Sequence, residues 1–401
     1  MAVGKAVANG MTPYGQYTLQ SMFSNIGHFH LYGTFSGIGY PPPWGLICGL
    51  MYSFSSVIAP VNLYVYVFAL KVPVIMAELA VAYVVYWILK PEIGEKHASK
   101  TLLLFLFCPF ILAVGTVWGM FDVLALLFAL LSAHSLRGNW VRSSLYLSIA
   151  SVLKVFPIVL APLYALFLYR SSKSAAAKFL VLTVGVSVFL ALLPMAVFGW
   201  PVSNMYNALV YHAGPTNSPY SQQQSLPYGA ASLFNSLDSL NWLTGEVSQL
   251  PAFVGYIWMV ACIAVYVFFY HSSIKSTRGF DFRSIVQWSL FLMLAFFTTR
   301  VWVSEQNLVF LFAFFALSVF LHNPQCSWRV TVLWLLLFAF VLMHVPVLSF
   351  LWMPYPWTLN AATSFANGPW GWTRLLSMTF LTVGWFALCW HYVIRKVRWR
   401  T

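Results

Sequence analysis

Charged residues are scarce in this chain of 401 residues, where they make up 7% of the sequence against 61% for hydrophobic residues. A soluble domain of this length cannot bury so much apolar surface. The scarcity of charge therefore excludes a soluble protein and predicts an integral membrane protein. A formal charge of +13 indicates nucleic-acid binding only when the basic residues share one solvated face, and here they do not.

Most basic residues instead flank apolar runs. They form six clusters: Lys90, Lys96 and Lys100; Arg137 and Arg142; Arg170, Lys173 and Lys178; Lys275, Arg278 and Arg283; Arg329; and Arg395, Lys396, Arg398 and Arg400. The positive-inside rule places these clusters in the cytoplasm and so orients every helix between them. The five basic residues outside the clusters need another explanation.

Several common motifs are also missing. The five cysteines are scattered, with no CxxC or CxxH spacing, which argues against a metal or redox centre built on cysteine. No P-loop, GxGxxG, HExxH or GxSxG motif occurs. A cleavable signal peptide is not visible, and a multispanning chain does not require one. No N-x-[ST] sequon is present, which favours a prokaryotic cell membrane over the endoplasmic reticulum.

The apolar runs predict an all-α transmembrane bundle of roughly ten or eleven spans, with half-helices and external loops. Residues 1–43 are expected to form an external first-loop segment, and residues 44–401 a transmembrane domain. A large external loop is predicted at 200–250, which contains no Lys or Arg, and a small one at 351–373.

Two parts of this pattern are irregular. Residues 44–56 are predicted to form a re-entrant or interfacial piece before a long helix at 61–89, which Lys71, Pro73 and Glu78 interrupt. The runs at 143–153 and 157–169 are each too short to cross alone. They are therefore expected to be half-helices that meet at Lys154, because Pro157 breaks the helix.

Ionisable residues at membrane depth are costly and are candidates for function. Lys154, at a helix break, is suited to an anionic headgroup such as a lipid-linked phosphate. The alternative is an internal pair with an acid, or a side chain that reaches the interface. Glu78 is expected to be a structural partner of Lys71, seven residues away on the same helix face.

Two further residues lie at the outer ends of apolar runs. Arg300 suits bidentate phosphate binding, although a salt bridge with Glu305 would also explain it. Asp122 follows a hairpin tip at Gly119, where it can meet a polar substrate or a metal. The alternative for Asp122 is an acid that stabilises the first turn of a helix.

Five segments, taken in order, resemble motifs of one enzyme family. They are Gly10 to Tyr14 ("GxxPY"), Tyr40 to Trp44 ("Y-[TP]-P-L"), Trp118 to Asp122 ("GQxD"), Lys154 to Pro157 ("K-[IVL]-[YF]-P") and Val303 to Asn307 ("SxQY"). The chain is thus similar to the polyprenol-phosphate-sugar-dependent glycosyltransferases of the GT-C type. It looks closest to the branch that contains the GPI mannosyltransferase catalytic subunit and related prokaryotic mannosyltransferases.

The resemblance implies transfer of a hexose, mannose above all, from a dolichyl- or polyprenyl-phosphate donor to a lipid-linked or glycan acceptor on the non-cytoplasmic face. An inverting displacement needs a carboxylate as general base, and Lys154 and Arg300 would stabilise the departing lipid phosphate. Asp122 would orient the acceptor or a divalent metal, Mg²⁺ or Mn²⁺. Tyr14, Tyr40, Glu305 and Gln306 complete the implied substrate-binding set.

One departure qualifies the resemblance. The family's catalytic carboxylate lies shortly before GxxPY, whereas no acid precedes Glu78 here. A transmembrane helix and this general base are therefore expected upstream of Met1. Two other classes stay open at this point: a secondary transporter or lipid-linked-sugar flippase, and a non-catalytic membrane subunit of a glycosylation complex.

Overall fold

The structure is a computed structural model that describes residues 2–14, 16–18, 34–36, 38–60, 62–213, 233–234, 252–274, 281–301, 303–343 and 369–396. Most of the two predicted external loops, at 200–250 and 351–373, lies outside the described residues. The division into a first-loop segment and a transmembrane domain stays a prediction.

The described chain is almost entirely helical, as predicted. Its α-helices are Ala2–Ala8 (α1), Pro42–Ile58 (α2), Leu63–Ile93 (α3), Glu95–Leu106 (α4), Pro109–Leu112 (α5), Asp122–Ser135 (α6), Trp140–Leu153 (α7), Leu160–Tyr169 (α8), Lys173–Phe198 (α9), Val202–Ala213 (α10), Ile257–Ile274 (α11), Phe282–Thr299 (α12), Leu308–His322 (α13), Ser327–Met343 (α14) and Gly371–Lys396 (α15). A π-helical turn at Ala113–Val117 continues α5. Shorter 3-10 turns lie at Phe156–Val159, Ala252–Tyr256, Glu305–Asn307 and Pro324–Cys326.

The only strands among the described residues form a small ribbon in the first-loop segment. Gln16–Thr18 (β1) pairs antiparallel with Thr34–Ser36 (β2), with Tyr17 opposite Phe35. This ribbon does not alter the all-α class of the bundle.

Membrane spans agree with the sequence pattern. Among the described residues, 7 helices are long and apolar enough to cross a membrane, and three shorter apolar helices accompany them at Asp122–Ser135, Phe156–Tyr169 and Ser327–Met343. The protein is therefore a multi-pass membrane protein. The helix α13 occupies the centre of the bundle, since 94% of the apolar segment Glu305–His322 is buried, whereas the buried share of the most apolar stretch of α9 is 17%.

The predicted interruption of the long helix is wrong. The helix α3 runs without a break from Leu63 to Ile93 and contains Pro73 in its interior. Proline removes one backbone donor and crowds the preceding turn, but packing against neighbouring helices lets membrane helices tolerate it. The predicted break after residue 153 is confirmed, because α7 ends at Leu153 and helical structure resumes at Phe156.

Two of the basic clusters, through Arg137 and Arg283, meet at Glu92, at the end of the bundle that we call the Glu92 end. Glu92 accepts from Arg137 at 3.3 Å and lies 3.7 Å from Arg283, so three separate connections meet there. The opposite end, which we call the Asp122 end, carries the first residue of α6 and the last residues before the breaks of α7 and α12. The 14-residue helix α6 holds the two ends about 21 Å apart.

Candidate functional site

Lys154 lies at the Asp122 end, where α7 stops. It is the C-terminal cap of α7, with an extended backbone, and it is only 4% exposed. Its Nζ atom donates hydrogen bonds to Asp122 Oδ2 at 3.0 Å and to the hydroxyl oxygen of Tyr40 at 3.1 Å. Lys154 is thus a buried cation held by one carboxylate and one phenol, which matches the internal acid pair considered from sequence.

Asp122 owes its place to the hairpin tip that precedes it. Gly119 has a φ of +85°, a conformation that glycine adopts without strain, and this turn allows α6 to begin at Asp122. The carboxylate therefore sits in the first turn of a helix, where the backbone dipole favours negative charge. It is fully buried. Both sequence interpretations of Asp122, a helix-terminal acid and a residue of the site, are compatible with this position.

Aromatic rings enclose the ammonium group of Lys154. Nζ lies 4.3 Å from the ring centroid of Tyr40 and 5.0 Å from that of Phe121, and each contact stabilises the cation by roughly 1 kcal/mol. Phe121 stacks on Trp44 with centroids 4.0 Å apart. The rings exclude water from the ion pair, so its charges act in a medium of low polarity.

The first-loop segment fixes the position of Tyr40. The hydroxyl of Tyr14 donates to the carbonyl of Tyr40 at 2.8 Å, and Ile38 N–H donates to the Pro13 carbonyl at 3.0 Å. Burial raises the pKa of Tyr14, so this phenol stays protonated and keeps donating. Trp200 Nε1 donates to the Gly10 carbonyl at 2.9 Å, which ties the same segment to the end of α9.

Arg300 lies at this end too, as the cap of α12. Its guanidinium lies 5.3 Å from the ring centroid of Phe296 and is near Tyr40. Burial lowers the pKa of Arg300, yet a guanidinium stays charged in proteins. The ion pairs among the described residues do not include one between Arg300 and Glu305, so the salt-bridge explanation of Arg300 is not supported.

The 3-10 turn Glu305–Asn307 supplies a buried set of acceptor oxygens. Glu305 is close enough to Asp122 for their charges to interact. Asp122 Oδ1, Gln306 Oε1 and Asn307 Oδ1 are all buried with no hydrogen-bond partner in the part of the chain that the structure describes. Buried acceptors normally have donors. These three are therefore available to a ligand that carries hydroxyl groups.

A divalent metal finds no complete set of ligands here. The described residues contain no group of three or more His, Cys, Asp or Glu side chains that could hold one, and Lys154 already occupies one oxygen of Asp122. The predicted Mg²⁺ or Mn²⁺ stays a prediction.

Some contacts of the site were not predicted from the sequence. Phe121, Trp44 and Asn307 lie within the quoted motifs, but their roles follow only from packing. The predicted pairing of Lys71 with Glu78 is wrong: Glu78 accepts from Thr116, and Lys71 donates to the Val117 carbonyl. The two side chains reach the segment after α5 instead of each other.

The fold and site together define a polytopic membrane protein, with a buried site around the ammonium group of Lys154 at one end of its helix bundle. Residues 38–295 match the family model of glycosyltransferase family 87. This stretch is more than half of the chain and includes Tyr40, Asp122 and Lys154, whereas Tyr14, Arg300, Glu305 and Gln306 lie outside it.

The chain therefore belongs to glycosyltransferase family 87, a GT-C type membrane family. A comparison with curated proteins finds no match. Membership supports glycosyltransferase activity with a lipid-linked sugar donor and an acceptor in general.

Proposed function

We propose that this protein transfers a hexose, mannose in the first instance, from a dolichyl- or polyprenyl-phosphate donor to a lipid-linked or glycan acceptor. The transfer takes place at the Asp122 end of the bundle, on the non-cytoplasmic side of a prokaryotic cell membrane. The observation that carries the proposal is the buried ammonium group of Lys154, held in place by Asp122 and Tyr40.

Lys154 suits the leaving group of this reaction. Breaking the bond between the sugar and the lipid phosphate leaves a second negative charge on the phosphate, and a fixed cation in a water-poor site stabilises that charge. Arg300, which lies near Tyr40, adds a second cation. The phenol of Tyr40 accepts from Lys154 through its oxygen, so its own proton can be donated to a phosphate oxygen.

The acceptor oxygens suit the sugar and the acceptor hydroxyl. Asp122 Oδ1, Gln306 Oε1 and Asn307 Oδ1 lack donors among the described residues, and the hydroxyl groups of a hexose supply donors. Tyr14 holds the backbone of Tyr40 and so helps to enclose the sugar.

An inverting displacement also requires a general base. Asp122 and Glu305 are the two carboxylates that the described residues place at this end of the bundle. One of them would take the proton of the acceptor hydroxyl as that oxygen attacks the sugar carbon. Lys154 already engages Oδ2 of Asp122, so Glu305 is the first candidate for this role.

The test is a transfer assay in membranes that contain the full chain. Radiolabelled polyprenyl-phosphate mannose is supplied, and label in a new lipid-linked or glycan product is measured. We expect label transfer by the wild type and none above background by K154M. Absence of transfer by the wild type with mannose and with other hexose donors would contradict the proposal and favour a transporter or a non-catalytic subunit.

A further inference from the structure

A buried glutamate in the middle of α3 takes no part in the site described above. Glu78 is 8% exposed and lies in a span with a mean hydropathy of 2.0. A carboxyl group at this depth is costly unless donors satisfy it. Both donors come from one residue: Glu78 Oε1 accepts from the Thr116 N–H at 3.0 Å, and Oε2 accepts from the Thr116 hydroxyl.

Thr116 belongs to the π-helical turn Ala113–Val117. In this turn the N–H of Trp118 donates to the carbonyl of Ala113, five residues earlier, at 3.0 Å. Single π-helical turns are rare and occur frequently at functional sites. Glycine at 115 makes the contact with α3 possible, because a Cβ atom there would overlap the carboxylate of Glu78.

A second bond from α3 reaches the next residue of the chain. Lys71 lies seven residues before Glu78, two turns along the same helix face, and its Nζ donates to the Val117 carbonyl at 2.8 Å. Lys71 and Glu78 therefore hold consecutive residues, Val117 and Thr116, at the point where the π-helical turn ends.

These hydrogen bonds from α3 lie close to the hairpin tip that carries Asp122 and to the turn Glu305–Asn307. The chain from Val117 to Asp122 spans only the hairpin tip, which turns at Gly119 and places Phe121 on Trp44. The π-helical turn also packs against Glu305–Asn307. A shift at Thr116 would therefore move the carboxylate that holds Lys154 and the turn that carries the acceptor oxygens.

We propose that Glu78 and Lys71 are positioning residues for the site at the Asp122 end. Their hydrogen bonds to Thr116 and Val117 fix the hairpin tip 118–122 and thereby the ion pair between Asp122 and Lys154. The effect of these two residues on the transfer rate rests on the proposed sugar transfer. Their effect on the position of the hairpin tip does not.

The positional consequence is tested by thiol labelling of the full chain in membranes. M120C places a reporter cysteine on the hairpin tip. The labelling rate of the same protein without this cysteine is subtracted as background. We expect E78A to raise the rate about tenfold, since two buried donors lose their acceptor. E78Q should restore it to within about twofold, because an amide can accept from the N–H and donate to the hydroxyl.

S132A is the matched control, because it also removes buried hydrogen bonds. Ser132 Oγ lies 2.8 Å from the Ser143 carbonyl, near the far end of α6. We expect S132A to leave the labelling rate of M120C and the transfer rate unchanged. An equal rise in labelling in S132A and E78A, or no rise in E78A, would overturn the proposal. Should E78A not fold, T116V removes the hydroxyl alone, and unchanged labelling in T116V would overturn it equally.

The kinetic consequence is tested by combining variants. E78A should lower kcat about tenfold with little change in KM, and E78A with D122N together should lose no more than D122N alone, because both act through one element. Additive losses would contradict a positioning role. If the wild type transfers no sugar from any donor, the proposed function fails, and the labelling experiment alone decides whether Glu78 positions the tip.

Discussion

Two ion pairs at opposite ends of the bundle have similar geometry but differ in how much water reaches them. Arg137 and Glu92 lie 3.3 Å apart with side chains 34% and 22% exposed, whereas Lys154 and Asp122 lie 3.0 Å apart with side chains 5% and 0% exposed. The geometry is nearly the same. Water screens the first pair, so it contributes little to stability, while the second carries a desolvation cost that only its partners offset.

The comparison fits the proposal that sugar transfer takes place at the Asp122 end. The Glu92 end gathers Arg137 and Arg283 around one acid, an arrangement that tolerates rearrangement because water can replace any lost partner. At the Asp122 end a lost partner leaves a buried charge. Such a site keeps its charges fixed before a substrate arrives, which is what stabilisation of a departing phosphate requires.

The largest expected effect comes from removing the buried cation. K154M should abolish sugar transfer, a loss of at least about 10³-fold, and should destabilise the protein by about 3–5 kcal/mol, because Asp122 is left unpaired. The double variant K154M with D122N should recover most of the stability and none of the activity. Thermal unfolding in detergent and the transfer assay check the two outcomes separately. Recovery of activity in the double variant would show that Lys154 is only structural.

The next effect separates the two carboxylates at the Asp122 end. The variant that removes the general base should lose about 10²–10⁴-fold in kcat, and the other should lose less. We expect E305Q to show the larger kinetic loss and D122N the larger loss of stability, because Asp122 is paired with Lys154. Measured kcat values for both variants decide the assignment. A larger kinetic loss in D122N would make Asp122 the base.

A smaller effect is expected from the phenol of Tyr40. Y40F keeps the ring over the ammonium group and removes only the hydroxyl that accepts from Lys154, so about a tenfold loss in kcat is expected, equivalent to one hydrogen bond to a charged group. Y14F is the matched control, since among the described residues the Tyr14 hydroxyl hydrogen-bonds only to the backbone of Tyr40. Equal losses in both variants would assign the two phenols a common structural role.

The smallest effect is expected at the Glu92 end. E92Q should change stability by no more than about 1 kcal/mol, and high salt should shrink that change further, because the pair is exposed. Its transfer rate should equal that of the wild type. A loss of stability in E92Q comparable to that in D122N would remove the contrast between the two ends.

Local patterns in the sequence predicted most of the fold. Long apolar runs without charge predict membrane helices, and basic clusters predict which helix ends lie together. Arg137 and Arg283, from two of the six clusters, meet at Glu92, and the grouping of the other clusters stays a prediction. Pro157 marked the break after α7. The interruption predicted at Pro73 is wrong, because packing around a proline decides whether it breaks a helix or is tolerated within one.

The site was predicted only as separate residues. Lys154, Asp122 and Arg300 were singled out because charge at membrane depth is costly, and that cost is a property of each residue in the sequence. Tyr40 was singled out by the family resemblance. Which of them touch was not encoded in any local pattern. Lys154 contacts Asp122 and Tyr40, and Glu78 contacts Thr116, not Lys71. Composition and hydropathy thus determined a membrane bundle and its candidate charges. Only the packing of α3, α6 and α7 decided the partners, since burial makes each charge depend on atoms that are distant along the chain.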